Sequence, residues 1–183
     1  MTADVDDRKQ VVLDLVTQHE PVDDSERRDI ATLLAEVRRL DRPFDRHADP
    51  EHITGSGFVV GRRGIVLLHH LKFDLWVQPG GHIDGDEFPW EAARREVVEE
   101  TGLEVNFLDG SPELTHVSVH DVPGGHIHLD LRYLFDAGDA DPAPPSDESQ
   151  EVYWFDWPDA IAIAEPALHG ILRALQRRFA PDA

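Results

Sequence analysis

The stretch Gly81 to Leu103, GHIDGDEFPWEAARREVVEETGL, constrains this chain more than any other part of it. It reads as a loop, a helix and a stop. Trp90 to Thr101 is rich in good helix formers, Asp86 and Glu87 stand just ahead, and Gly102 just behind; an acidic start and a glycine stop punctuate a helix. Pro89 fits only the first turn, where its missing N–H has no partner to lose. On this helix Glu96, Glu99 and Glu100 fall at three- and four-residue spacings and share one face, while Ala93 and Val97 supply an apolar neighbouring face.

Three carboxylates so close repel one another, by a few tenths of a kcal/mol per pair on an exposed helix. A solvated acidic face is one reading. A hard divalent cation explains the clustering better, because Mg²⁺ or Mn²⁺ takes oxygen ligands and cancels the repulsion. The expected ligands are Glu96, Glu99 and Glu100. Arg95 cannot lose its proton and is expected to orient a glutamate through a charge-assisted hydrogen bond. Glu87 is expected to pair across the loop or to complete a metal shell through water.

The spacing of Gly81, Glu87, Arg95, Glu96, Val97, Glu99, Glu100, Gly102 and Leu103 resembles the Nudix box of the Nudix hydrolases, and every slot of that signature is filled. The resemblance implies an α/β/α sandwich with a mixed sheet, and a metal-dependent hydrolase that cleaves the diphosphate linkage of a nucleoside diphosphate joined to another group. In the family the first glycine of the box can offer its carbonyl to the metal, which makes Gly81 a further candidate ligand. The general base can come from the box or from a later loop. Glu99 is then the candidate within the box, Glu148 the one outside it, and Glu151 stands behind Glu148. Glu87 and Gly102 keep structural roles. A non-catalytic ligand-binding module of the same fold stays open as an alternative, although such modules typically lose box glutamates. An isoprenoid diphosphate isomerase is disfavoured, because that class uses a cysteine and this chain has none.

Composition narrows the rest. The 183 residues suit one domain with an extension. No apolar run approaches membrane-spanning length, and the N-terminus lacks a basic-then-apolar leader pattern. Zero cysteines remove thiolate metal sites and cysteine nucleophiles, and a cytoplasmic location is expected. The net charge of −20 argues against a nucleic-acid polymer as partner and toward a small diphosphate substrate whose charge a local cation offsets.

In chain order, Val5–His19 and Ser25–Leu40 read as two helices. Ile30, Leu33, Leu34, Val37 and Leu40 form one stripe on the second, and Asp23 with Glu26 could make a capping box. Covering the sheet, packing on a second subunit as in a homodimer, or shaping the substrate pocket are the roles open to them. Arg42 to Pro50 reads as a linker, so residues 1–50 form a helical extension and 51–183 the Nudix domain. Strands are expected at Ile53–Val60, Ile65–His70, Leu75–Gln78, Leu103–Leu108, Leu114–Val119, Ile127–Phe135 and Glu151–Phe155, with a permissive Pro79-Gly80-Gly81 loop before the box. Asp136 to Gln150 has loop composition and is expected to be mobile, and Pro166 opens a last helix.

The strand Ile127–Phe135 alternates apolar residues with His126, His128, Asp130 and Arg132. That polar face is either solvated and self-paired, or lines the cleft with Arg132 gripping a phosphate and His128 beside it; a His–His metal site is a third reading, disfavoured because oxygen ligands already suffice for Mg²⁺. Trp76, Phe73 and Trp90 are the aromatics that could stack on a base, although core packing competes with that role. Trp76 is the substrate-binding candidate among them. Which molecule is cleaved is beyond the sequence.

Overall fold

The computed structural model describes residues 5–180. Eight strands form one mixed sheet: β1 (Glu51–Gly61), β2 (Gly64–His70), β3 (Leu75–Val77), β4 (Gly80–His82), β5 (Asn106–Phe107), β6 (Leu114–Val122), β7 (His126–Asp136) and β8 (Val152–Phe155). The helices are α1 (Val5–Gln18), α2 (Asp24–Arg39), α3 (Pro89–Thr101), α4 (Trp157–Ile163) and α5 (His169–Phe179). At the centre β1 runs parallel to β7 from Glu51 opposite Ile127 to Val60 opposite Asp136. The start of β1 pairs with β4 and its end with β2, both antiparallel.

Strand alternation sends Ile53, Gly55, Gly57 and Val59 of β1 to one face, and His52, Thr54, Ser56, Phe58 and Val60 to the other. The first face packs against α3 and against α1 and α2, with Val12, Val16, Leu33, Val37, Ala93 and Val97 in one buried cluster. On the second face Phe58, Val60, Ile65, Leu67 and Leu134 pack against Trp157, Ala160, Ile171, Leu172 and Leu175 of α4 and α5. The expected α/β/α layering is present. Apolar contact continues from the N-terminal helices into the sheet without a break at residue 50. Residues 1–4 and 181–183, at the two ends of the expected segments, lie outside the described residues.

Several local expectations change. The Pro79-Gly80-Gly81 stretch is not only a loop: Gly80 and Gly81 sit in β4, opposite Ser56 and Gly55. The expected strand at Leu103–Leu108 shrinks to Asn106–Phe107, because only those residues find a partner on β7. Helix α4 was not expected; Asp156 caps it by accepting from the Asp159 N–H at 2.9 Å. The capping box at Asp23 is only half made. Asp23 accepts from Glu26 N at 3.0 Å, but the Glu26 carboxylate turns inward to accept from Val22 N at 2.6 Å and Val117 N at 2.8 Å. It also meets His19 Nε2 at 2.8 Å, and its side chain is fully buried. Burial works to raise the Glu26 pKa, but His19 and the two backbone donors overcome it and hold the carboxylate below its ordinary value. Glu26 thereby ties α2 to β6.

Of the expected loop Asp136–Gln150, Asp136 ends β7 and the rest has no regular strand or helix, yet it is pinned to its surroundings. Ala143 N donates to Thr101 O at 2.9 Å, Trp154 Nε1 donates to Ala140 O at 2.8 Å, and Arg62 pairs with Asp139. Among the described residues, no helix is long and apolar enough to cross a membrane.

The position of α3 depends on a missing side chain. A Cβ on Gly55 would lie 2.2 Å from the Pro89 carbonyl oxygen, well inside contact distance. Gly55→Ala should push the start of α3 off the sheet and cost about 1–3 kcal/mol or more, as overpacking does. Urea unfolding checks this, and an unchanged midpoint would show that the contact yields.

Candidate active site

Arg95, projecting from α3, is the hub of the acidic stretch. Its Nε and Nη2 donate to the two Glu87 carboxylate oxygens at 3.0 Å each, Nη1 to Glu96 at 2.7 Å and to Glu99 at 3.1 Å, and Nη2 to the His82 carbonyl at 2.9 Å. The loop ahead of the helix, the helix itself and β4 are clamped by one guanidinium. The pairing with Glu87, above all, raises the Arg95 pKa. Burial pushes against ionisation of Glu87, but Arg95 prevails and lowers its pKa. From the other side Arg8 of α1 donates to the carbonyl oxygens of Gly85 and Glu87, so an N-terminal helix braces this loop.

Glu96 and Glu100 turn toward β4, whereas Glu99 is half exposed. A Cβ on Gly81 would lie 2.4 Å from the Glu96 carboxyl carbon, so that carboxylate rests on bare backbone. Gly80 N donates to Glu100 at 2.8 Å. Burial raises the Glu96 pKa despite Arg95. It pushes Glu100 up to about 8; Gly80 N–H opposes this, while Glu96, Glu148 and Glu99 reinforce it. Glu148 of the 136–150 segment is thus close enough for its charge to act on Glu100. Glu151 is engaged elsewhere, 2.8 Å from His69 Nδ1. Gly102 ends α3 at φ 68°, a left-handed conformation that favours glycine. A Cβ there would also collide with the Ala143 carbonyl at 2.0 Å, so this glycine lets the 136–150 segment approach.

Beside β4 opens a cleft of roughly 360 Å³, lined by Gly80, Gly81, Glu100, Thr54, Ser56, Asp130, Arg132, His128 and Phe73, among others. The polar face of β7 is its floor rather than a solvated surface: Asp130 and Arg132 are each only 3% exposed. Arg132 Nε donates to Asp130 at 2.8 Å, and Asp130 also accepts from Thr54 Oγ1 at 3.0 Å and Ser56 Oγ at 2.8 Å. Burial alone would raise the Asp130 pKa, but Arg132, with His120 and the Ser56 hydroxyl, holds it down. Self-pairing and cleft lining, set as alternatives by the sequence, both occur.

Trp76 does not line the cleft. Its strand neighbours Leu75 and Val77 do, so alternation along β3 turns the indole the other way, onto His69 at 5.1 Å and Phe155 at 5.1 Å between ring centroids. Sequence reasoning missed the cleft residues Thr54 and Ser56, and also His52 and His82. Polar residues at every second position of β1 were the available signal: Thr54 and Ser56 lay inside the expected strand, and only His52 fell outside its expected start at Ile53. Burial pushes the imidazoles of His82 and His128 down to about 4 and that of His116 down to about 3.

Comparison with known proteins agrees with this geometry. The NUDIX domain model matches residues 50–177. The chain is similar to an RNA pyrophosphohydrolase of Rhizobium meliloti (strain 1021), 36% identical over 85 residues, covering 40% of this chain and 49% of the relative. An RNA pyrophosphohydrolase of Rhodopseudomonas palustris (strain ATCC BAA-98 / CGA009) is 32% identical over 88 residues, covering 48% of this chain and 51% of the relative. The chain spans about half the length of these curated relatives. Among solved structures, a NUDIX-family hydrolase from Clostridium perfringens superposes with a TM-score of 0.56 at 27% identity, covering 68% of this chain and 97% of that one. A C. elegans Ap4A hydrolase binary complex gives 0.60 at 22% identity, covering 70% and 98%, a likeness of fold.

The depressed His116 pKa has a consequence for stability. Between an unfolded value near 6.5 and a folded value of about 3, the unfolded chain binds the extra proton. Stability contributed by neutral His116 is therefore full above pH ~6.5 and lost as pH falls toward 3, by at most ~1.4 kcal/mol per pH unit. His116→Asn should flatten the decline of the urea midpoint over that window. An identical slope in variant and wild type would remove His116 from the balance.

Proposed function

Since the chain belongs to the Nudix family, we propose that it is a divalent-metal-dependent hydrolase that cleaves a phosphate anhydride in a nucleoside diphosphate linked to another group. The observation that carries this reading is the Glu96 carboxylate packed on the bare backbone of Gly81 and held by Arg95, with Glu100 beside it on the Gly80 N–H. The ligands proposed are the Gly81 carbonyl, Glu96, Glu99 and Glu100. They fit such an ion: the donors are all hard oxygens, Gly81 has no side chain to fill the cradle, and Glu100 lacks a counter-cation and is pushed up to about 8. Mg²⁺ or Mn²⁺ bound there supplies charge neutralisation for the phosphate oxygens and a lower pKa for a water. Residues 51–183 are read as the catalytic domain and 1–50 as its accessory helices, in a protein acting in the cytoplasm.

The chain's own residues divide the remaining work. Arg95 is a positioning residue, since its donors are occupied by Glu87, Glu96, Glu99 and the His82 carbonyl. Glu148 is proposed as the general base in preference to Glu99, which is held by Arg95 at 3.1 Å, and to Glu151, which is held by His69. The water oxygen attacks phosphorus, the bridging P–O bond breaks, and Glu148 takes the water's proton. Arg132, with Nε engaged by Asp130 and Nη1 3.5 Å from His116 Nδ1, keeps Nη2 for a substrate phosphate. Phe73 is the aromatic of the cleft wall.

The names of the curated relatives, RNA pyrophosphohydrolases, favour a second reading, an RNA carrying a phosphate anhydride as substrate. It runs against the net charge of −20, which disfavours a polyanion. Phosphate or pyrophosphate release with Mg²⁺ or Mn²⁺ should be measured on ADP-ribose, nucleotide sugars, dinucleoside polyphosphates, nucleoside triphosphates and a 5′-triphosphorylated RNA. Turnover of the small nucleotides supports the first reading, and turnover of the RNA alone replaces it with the second. Glu100→Gln should lower metal-dependent turnover by about 100-fold or more with the fold intact by circular dichroism. Glu148→Gln should lower kcat while leaving the metal concentration at half-activity unchanged. Near-normal kcat in Glu148→Gln returns the base to Glu99.

A further inference from the structure

Three imidazoles from three adjacent strands converge beside the carboxylate helix. His52 of β1 lies directly opposite His128 of β7, and His82 of β4 lies opposite Thr54, on the same face of β1 as His52. Their ring centroids form a nearly equilateral triangle: 5.2 Å from His52 to His82, 5.1 Å from His52 to His128 and 5.3 Å from His82 to His128. One nitrogen from each ring lies within 4.8 Å of the others.

A packed trio of histidines needs no ion if every nitrogen has a partner, and His52 fails that condition. The residue is 1% exposed, and its Nδ1 lies 3.2 Å from the Pro50 carbonyl, to which it donates. Its Nε2 is therefore a bare lone pair, buried and without a hydrogen-bond partner. A buried acceptor left unmade has given up its hydration for nothing in return. A ring whose far nitrogen donates to a backbone carbonyl while the near one is free is the tautomer a metal-binding histidine adopts. Anchoring on hydrogen-bonded strands limits how far the rings can wander.

We propose that His52, His82 and His128 bind a transition-metal cation, Zn²⁺ first among them, at a site separate in ligands from the carboxylate box. The donor set selects the ion: imidazole suits Zn²⁺ and its neighbours, whereas Mg²⁺ and Ca²⁺ take oxygen. With Zn–N bonds of about 2.0–2.1 Å, tetrahedral ligand nitrogens lie roughly 3.3 Å apart, so the rings need only close inward. Three protein ligands leave the fourth position open. The groove beside the triangle is lined by Gly81 and Glu96 as well as by these histidines, so a water or a phosphate oxygen of a bound substrate fills that position. Arg46 Nη1 now lies 3.0 Å from His82 Nδ1. Its guanidinium is exposed and swings away when the cation enters. The His52 Nε2 orphan gains its partner at the same time.

Metal-stripped protein titrated with Co²⁺ tests the site directly, because four-coordinate Co²⁺ on nitrogen ligands absorbs far more strongly in the visible than six-coordinate Co²⁺ on oxygen. One equivalent should develop the intense band in wild type, and Zn²⁺ should bleach it. The Glu96→Gln/Glu100→Gln variant, which dismantles the oxygen site, should keep the band. His128→Gln and His82→Asn should each lose it or weaken Co²⁺ binding at least tenfold. His82 is only half-buried, so its variant decides the matter if His128→Gln does not fold. Absence of the intense band in wild type would overturn the proposal, as would a band insensitive to His82→Asn. Because turnover is not the readout, loss of this site and failure of the hydrolase reading are separable.

Discussion

Like charge held close to a protein interior needs a counterweight, and here a single guanidinium supplies much of it. Arg95 reaches Glu87, Glu96 and Glu99 and the carbonyl of His82, all within 3.1 Å. Without it the carboxylates of α3 would repel one another and the loop from Asp84 to Phe88 would lose its principal anchor to the helix. The balance is incomplete. Glu100 lies beyond the reach of Arg95, meets only a backbone N–H, and rises to about 8. That residual imbalance is what a divalent cation would correct.

The clamp works only because α3 lies close to the sheet. Gly55 lets the Pro89 carbonyl approach β1, and Gly81 lets the Glu96 carboxylate rest on β4. At the far end of the helix Gly102 admits the 136–150 segment, which carries Glu148 toward Glu100. Three absent side chains thus set the height of the helix, the seat of a carboxylate and the reach of a loop. The opposite face of β1 has the complementary task. There Thr54 and Ser56 feed hydrogen bonds into Asp130, which in turn holds Arg132 at the cleft floor.

Legibility in the sequence followed the range of the interactions. The helix at Pro89–Thr101, its proline start and its glycine stop are local, and they stand where the spacing puts them. The alternation along β7 was equally plain. Features that depend on a partner strand were not. Gly80 and Gly81 become a strand only because Ser56 and Gly55 lie opposite. Trp76 leaves the cleft because the register of β3 faces Leu75 and Val77 into it. Glu26 has the sequence position of a capping residue, yet a backbone N–H on a distant strand claims its carboxylate.

By itself the sequence determined the α/β class, the acidic helix with its arginine, and the kind of chemistry such oxygen donors support. Each follows from residue type and from spacings within a turn or two of chain, where geometry is nearly fixed by the backbone. Tertiary structure alone decided which carboxylates are buried, which aromatic reaches the cleft, and that Asp130 and Arg132 form an ion pair at the cleft floor. It also brought His52, His82 and His128 together from strands far apart in the chain. Those outcomes depend on register between strands, where a shift of one residue would send every side chain to the opposite face.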